Sequence, residues 1–358
     1  MRLAIIVGTR PEIIKMSPII VACQERGLDF SVINTRQHFS DNMNTSFFHD
    51  LELPPPVFTL ETASGSHGTQ FASMLPKLEE LFETNSFDIV LVQGDTNTVF
   101  AGAFMASRQG IAIGHVEAGL RSGDKSMPEE TNRIMVDHIA DFCFATSETT
   151  LNNLHLEGLK GPHILNVGNT VVDATMRGLE LARRSVEKAA FSPPKQPYML
   201  VTIHRASNVD NPETLQGIMD GIHESLERHG LVAIFPVHPR TNKQIIANNI
   251  KLPSKMKLIE PLGYLDFLRL HSGATIMLTD SGGVQEEACI MHVPCVTVRE
   301  NTERPETIDI GANLLGRTDP KSIVHAVDHM LKAPKNWDIP YGDGTAGAKI
   351  VDAILNSK

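Results

Sequence analysis

Short, fully apolar runs alternate along the chain with longer stretches whose apolar residues recur at helical spacing. "LAIIVG" (3–8), "FSVINT" (30–35), "DIVLVQGD" (88–95), "IAIGHVEAG" (111–119), "ADFCFAT" (140–146) and "HILNVGN" (163–169) read as strands. Their apolar positions are continuous rather than alternating, the pattern of a parallel sheet covered on both faces. Helices are expected from Pro11 to about Arg26 and through "TNTVFAGAFMASRQG". The pattern stops at "SVEKAAFSPPKQP" (185–197), polar and proline-rich, and then restarts. "YMLVTIHR" (198–205), "VAIFPVHP" (232–239), "KLIEP" (257–261), "TIMLTDSGG" (275–283) and "PCVTVRE" (294–300) make a second series, and "GTAGAKIVDAILNSK" closes the chain as a helix. The fold class expected is α/β, with two successive doubly wound parallel-sheet halves.

Length agrees, since 358 residues exceed one ordinary core. The net charge of −10 weighs against a sequence-independent nucleic-acid binder. Cys23, Cys143, Cys289 and Cys295 have no CxxC spacing and read as buried thiols of a reducing compartment. With no signal-like start and no apolar run of about 18 residues, the expectation is a cytoplasmic protein without a membrane span. No HExxH and no Cys/His cluster indicates a metal, and no GxGxxG indicates a dinucleotide, so no cofactor is expected.

Open α/β sheets bind ligands beyond the carboxyl ends of their strands, and the chemistry-bearing residues gather at those ends. In "GTRPEIIK" (8–15), Arg10 and Lys15 flank a helix start that suits an anion; an ordinary strand–helix turn is about as good a reading. Asp95 directly follows a strand, where capping the next helix is its simpler role. His115 and Glu117 occupy alternate strand positions and are expected on one face. Glu129 and Glu130 stand at a helix start, where favourable interaction with the helix dipole would suffice to explain them. His204 and Arg205 end a strand, as do His238 and Arg240 two elements on. In "TDSGGVQEEA", Ser281 can cap a helix and Gly282 and Gly283 allow a phosphate to approach the backbone. Glu286 and Glu287 point about 100° apart on a helix, so one of them at most faces a ligand. "RENTERPET" (299–307) sets Arg304 beside a proline after a buried strand, as a positioned cation.

Six segments in order, "VGTRPEIIK", "VQGDTNT", "HVEAGLRS", "MPEETNR", "TDSGGVQEEA" and "RENTERPET", resemble the non-hydrolysing UDP-N-acetylglucosamine 2-epimerases over about residues 3–347. The resemblance implies a GT-B-type fold, two Rossmann-like domains facing a central cleft that closes in the reaction. The domains expected are 1–168, with a C-terminal helix 345–358 returning to it, and 169–344 as the UDP-binding half. It implies reversible conversion of UDP-GlcNAc to UDP-ManNAc by elimination of UDP to a 2-acetamidoglucal and re-addition, and a homodimer. Carried over by motif, Asp95, Glu117, Glu129 and His204 are the catalytic candidates, with base and acid unassigned among the carboxylates. Arg10, Lys15, Leu262, Phe267, Ser281, Gly282, Gly283, Glu287 and Arg304 are the substrate-binding candidates. Leu262 and Phe267 would serve the uracil, the serine and glycines the phosphates, and Glu287 rather than Glu286 the ribose.

The chain departs from bacterial members in places. The stretch before Pro128 is shorter, "HRASN" lacks a second arginine, and "RQHFSDNM" (36–43) departs after Gln37-His38, where an activating second substrate molecule binds in bacterial members. Alternatives are an epimerase of a UDP-2,3-diacetamido-uronate, a hydrolysing epimerase, a GT-B glycosyltransferase and a non-catalytic nucleotide-sugar sensor.

Overall fold

Leu3 to Val7 are all buried, as a central strand of a sheet covered on both faces requires. They belong to the first of two units in the computed structural model, which describes residues 1–37, 47–125, 127–189 and 191–357. The units are Met1–Met176 with Tyr341–Lys358, and Arg177–Pro340.

The first unit holds β1 (Arg2–Val7), β2 (Asp29–Asn34), β3 (Phe58–Thr59), β4 (Ile89–Gln93), β5 (Ala112–Ala118), β6 (Phe142–Ala145) and β7 (Ile164–Asn166). All pair in parallel in the order β3-β2-β1-β4-β5-β6-β7. The helices that place the candidate site are α1 (Arg10–Glu25), α2 (His67–Thr84), α3 (Asn97–Arg108) and α4 (Pro128–Ile139). Strand order reverses between β1 and β4, so right-handed crossovers put α1 on one face and α2, α3 and α4 on the other. On that second face Ala4, Ile6, Val90, Val92 and Ile113 pack against Met74, Leu78, Val99 and Val136. The closing helix Ala346–Leu355 packs on α1, and the Arg26 guanidinium donates to Asp352 at 3.0 and 2.8 Å.

The second unit repeats the plan with β8 (Tyr198–Thr202), β9 (Val232–Pro236), β10 (Met256–Ile259), β11 (Ile276–Thr279), β12 (Cys295–Thr297) and β13 (Asn313–Leu315). They too are parallel, ordered β10-β9-β8-β11-β12-β13. Two successive doubly wound parallel sheets are thus present, as the apolar runs imply. Both sheets gain an edge strand that the pattern does not announce, β3 and β13, only two and three residues long. Among the described residues, no helix is long and apolar enough to cross a membrane. The four cysteines are buried free thiols.

Candidate active site

In the first unit, the turn after β1 is built by a buried carboxylate. Glu12 Oε2 accepts the Gly8 and Thr9 N–H groups at 2.5 and 3.1 Å, and its Oε1 accepts the Thr96 hydroxyl at 2.6 Å. With Thr9 as N-cap this makes a capping box that starts α1. Burial dominates the surroundings of Glu12 and raises its pKa to about 7. Gly8 has no room for a side chain, since a Cβ there would lie 2.3 Å from the hydroxyls of Thr35 and Thr98. The turn presents Arg10, whose guanidinium lies 4.8 Å over the Phe47 ring and whose pKa burial lowers.

Lys15, one turn into α1, meets Glu117 rather than open solvent. Its ammonium donates to the two carboxylate oxygens at 2.9 and 2.7 Å, and the Gln93 amide donates to the same group. Glu117 is buried and has φ of +69°, with a shift of register between Val116 and Ala118. That bulge corrects the expectation that His115 and Glu117 share a face. His115 reaches Asp137 of α4, whereas Glu117 reaches Lys15 of α1, which covers the other face. An L-residue in the left-handed region costs roughly 1–2 kcal/mol, and such residues collect at functional sites.

Asp95 stands at the end of β4, with 28% of its side chain open to solvent. Its Oδ2 accepts Nε and Nη2 of Arg133 at 2.9 and 2.6 Å, and its carbonyl accepts the Asn132 amide at 2.8 Å. Burial raises its pKa, with the Arg133 charge opposing and Glu117 reinforcing. Helix capping is not its role: Thr96 occupies the N-cap of α3. Of the two glutamates at the start of α4, Glu130 is the structural one. Burial disfavours its charge, but the Ser122 and Gly123 N–H groups and Arg133 outweigh it and hold the pKa low. Glu129 is half-buried and makes no side-chain hydrogen bond among the described residues. Arg133, Gln93 and Glu12 are therefore site-building residues that motif reading passed over. The i,i+3 spacing of Glu130 and Arg133 was the available signal for one of them.

In the second unit, β8 and β11 end side by side at the sheet's own reversal point. Asp280, fully buried, accepts the backbone N–H groups of His204 (3.0 Å) and Arg205 (2.9 Å) and the Asn208 amide (3.1 Å). His204 Nδ1 lies 3.2 Å from the same carboxylate, and 47% of the His204 side chain is exposed. Ser281 is the N-cap of helix Gly282–Ile290 but makes no side-chain capping bond; its own N–H donates to Thr279 Oγ1 at 3.0 Å. A Cβ on Gly283 would meet nothing within 4 Å, which leaves the helix N-terminus open to a ligand.

Glu286 and Glu287 are both buried, with different partners. Arg304 Nε donates to Glu286 Oε1 at 2.5 Å, while Glu287 Oε2 lies 3.9 Å from His271 Nδ1. Behind Arg304, Arg299 grips Glu303 through two bonds of 2.8 and 2.7 Å; burial opposes the Glu303 charge, but this pairing wins and lowers the pKa to about 2. Phe267 is half-buried on helix Tyr264–Ser272, with its ring 5.5 Å from His271, and Leu262 is half-buried just before that helix. His38 and the "FSDNM" that follows it lie outside the described residues.

Two doubly wound units in one chain, with ionisable side chains concentrated at the carboxyl ends of both sheets, define an α/β enzyme fold of the GT-B type. The chain belongs to the UDP-N-acetylglucosamine 2-epimerase family, whose sequence profile matches residues 21–355. It is 48% identical to the UDP-N-acetylglucosamine 2-epimerase of Methanocaldococcus jannaschii over 365 aligned residues, covering 100% of both chains. It is 35% identical to the UDP-2,3-diacetamido-2,3-dideoxy-D-glucuronate 2-epimerase of Pseudomonas aeruginosa, over 99% of each. The crystal structure of the Methanocaldococcus jannaschii UDP-GlcNAc 2-epimerase in complex with UDP-GlcNAc and UDP superposes with a TM-score of 0.90 over 100% of both chains, at 47% identity.

Proposed function

We propose that this protein interconverts UDP-GlcNAc and UDP-ManNAc. The observation that carries the reading is the buried Lys15–Glu117–Gln93 cluster in a chain so similar throughout to a UDP-GlcNAc 2-epimerase. The C2 proton of the sugar is not α to a carbonyl. Removing it requires the C1–O bond to break in step, with the electron pair leaving on UDP. The product pair is a 2-acetamidoglucal and UDP; re-addition returns UDP to C1 and a proton to the opposite face of C2.

Such chemistry needs carboxylates for the proton and cations for the departing diphosphate. Asp95, Glu117 and Glu129 serve as acid and base in this reading. The raised pKa of Asp95 suits a group that carries a proton for part of the cycle. Arg10 and His204 steady the diphosphate, and Lys15 holds the Glu117 carboxylate. The amides of Ser281, Gly282 and Gly283 take the phosphates, Glu287 the ribose, and Leu262 and Phe267 the uracil. Arg304, through Glu286, fixes the helix that carries Glu287.

Incubation with UDP-GlcNAc in deuterated water tests the proposal by NMR. UDP-ManNAc should form with deuterium at C2 and no net UDP. Unlabelled product would sink the elimination. Stoichiometric UDP and free ManNAc would favour a hydrolysing enzyme. No turnover without an acceptor would favour a transferase, and turnover of only the diacetamido-uronate would move the substrate to that sugar. A homodimer is part of the proposal. Phe71, Phe100 and Phe104 form an aromatic cluster, with Phe71 and Phe100 stacked at 5.0 Å and Phe104 exposed on α3, and such a patch suits a second copy. We also place the protein in the cytoplasm, where its free thiols would stay reduced.

A further inference from the structure

His115 lies under the first unit's carboxylates, fully buried, and is the one histidine of the unit held at both ring nitrogens among the described residues. Its Nδ1 is 2.6 Å from Asp137 Oδ1, and its Nε2 is 2.9 Å from the Gly94 carbonyl oxygen. Neither partner has a proton to give in its ordinary form. A neutral imidazole has one donor and one acceptor nitrogen, so either tautomer would set a lone pair against an oxygen lone pair in a dry site. Moving the proton to Asp137 would relieve this, but the other Asp137 oxygen already accepts Arg121 Nη1 at 2.8 Å and the Gly119 N–H at 3.1 Å. Those two donors hold Asp137 as a carboxylate.

The connections of this ring reach two of the catalytic candidates, Asp95 and Glu117. Gly94, at φ of +83°, immediately precedes Asp95, whose other side is held by Asn132 and Arg133 of α4. Asp137 is one turn further along the same helix. The bulge at Glu117 is bracketed by one carboxylate, since His115 before it and Gly119 after it both donate to Asp137. A left-handed glutamate persists only where its neighbours over-determine it, and these two bonds supply that restraint.

We propose that His115 is a positioning residue, a permanently charged imidazolium that pins the Gly94–Asp95 turn and the Glu117 bulge to Asp137. The charged groups around it are Glu117 on its own strand, Asp137, Arg133 and Glu130 on α4, Asp95 after β4, Lys15 on α1, and Arg121 with its partner Glu157. Cys143, its neighbour on β6, is a buried thiol with its pKa raised to about 12, so it adds no charge. Burial works against a charge on the ring, but Asp137 and the two hydrogen bonds outweigh it and raise its pKa.

The charge state is read directly by long-range proton–nitrogen NMR on the wild-type protein from pH 6 to 9. Both His115 nitrogens should give protonated imidazolium signals throughout, assigned by their loss in His115→Asn or His115→Gln. A bare nitrogen at His115 at neutral pH would overturn the proposal, whatever sugar the enzyme uses. The kinetic arm rests on the proposed epimerase reading. His115→Asn keeps a donor toward Asp137 but loses the Gly94 bond and the charge. Its kcat should fall roughly 10- to 100-fold, with KM within about threefold. The acidic limb of its kcat profile should move to higher pH, because the carboxylates lose a neighbouring cation. An unchanged limb, with kcat reduced only in proportion to lost folded protein, would make the residue merely structural. If His115→Asn does not fold, His115→Gln, which keeps the Gly94 bond instead, takes its place in the same assay.

Discussion

Glu12→Gln separates the electrostatic role of the β1–α1 turn from its hydrogen bonding. The amide oxygen of glutamine can accept the Gly8 and Thr9 N–H groups, and its NH2 can donate to the Thr96 hydroxyl, so the turn keeps its bonds. What disappears is a carboxylate whose pKa is raised from 4.5 to about 7. At about 1.4 kcal/mol per pH unit that rise corresponds to about 3 kcal/mol. The fold prefers the protonated form, so this contribution is fully present below about pH 4.5 and is lost as pH rises to about 7. Wild type should therefore lose about 3 kcal/mol relative to Glu12→Gln between pH 4.5 and 8. For a unit of this size the difference in melting temperature should change by about 6–12 °C over that range. Paired melting curves across pH, followed by the transition of the first unit, make the measurement. Parallel curves for the two proteins would refute the reasoning, because they would mean that Glu12 is charged at no cost.

Lys15→Met should destabilise the first unit by about 3–5 kcal/mol by leaving Glu117 buried without its cation. The double variant Lys15→Met/Glu117→Gln should lose less than the two single losses added, as measured by denaturant unfolding. Asp280→Ala should cost about 2–3 kcal/mol by stranding the N–H groups of His204 and Arg205, and weaker UDP binding in calorimetry should accompany it. Glu303 has its pKa lowered to about 2, so its stabilisation is present above about pH 4.5 and is lost as pH falls toward 2. Arg299→Met should remove that acid sensitivity from the melting of the second unit.

The fold was legible because its central strands are buried on both faces and so appear as unbroken apolar runs. β3 and β13 escaped for the opposite reason, being edge strands too short to carry a period. Position pointed to Arg10, Asp95, Glu117, His204 and Ser281, and each stands at or just beyond the carboxyl end of a strand of its own sheet. Side-chain partners were harder to read. The pairing of Lys15 with Glu117 spans 102 positions, and nothing local to either residue signals it. The period-2 rule placed His115 and Glu117 on one face because a bulge leaves no mark in the residues themselves. The opposite case is Thr96, which takes the cap that Asp95 could have filled and thereby frees Asp95 for Arg133.

The kink at Glu117 also limits what can replace it. Asp, Asn and Gly adopt a left-handed backbone more readily than Glu does, so at this one position local conformation and side-chain length pull in opposite directions. Aspartate would relax the strand yet fall one methylene short of Lys15. The strain of roughly 1–2 kcal/mol is smaller than the loss of about 3–5 kcal/mol at stake in the pairing with Lys15, so a search for greater stability here should also keep glutamate. A library screened for stability and turnover together should retain it and find its gains around the kink, where backbone comfort and reach do not compete.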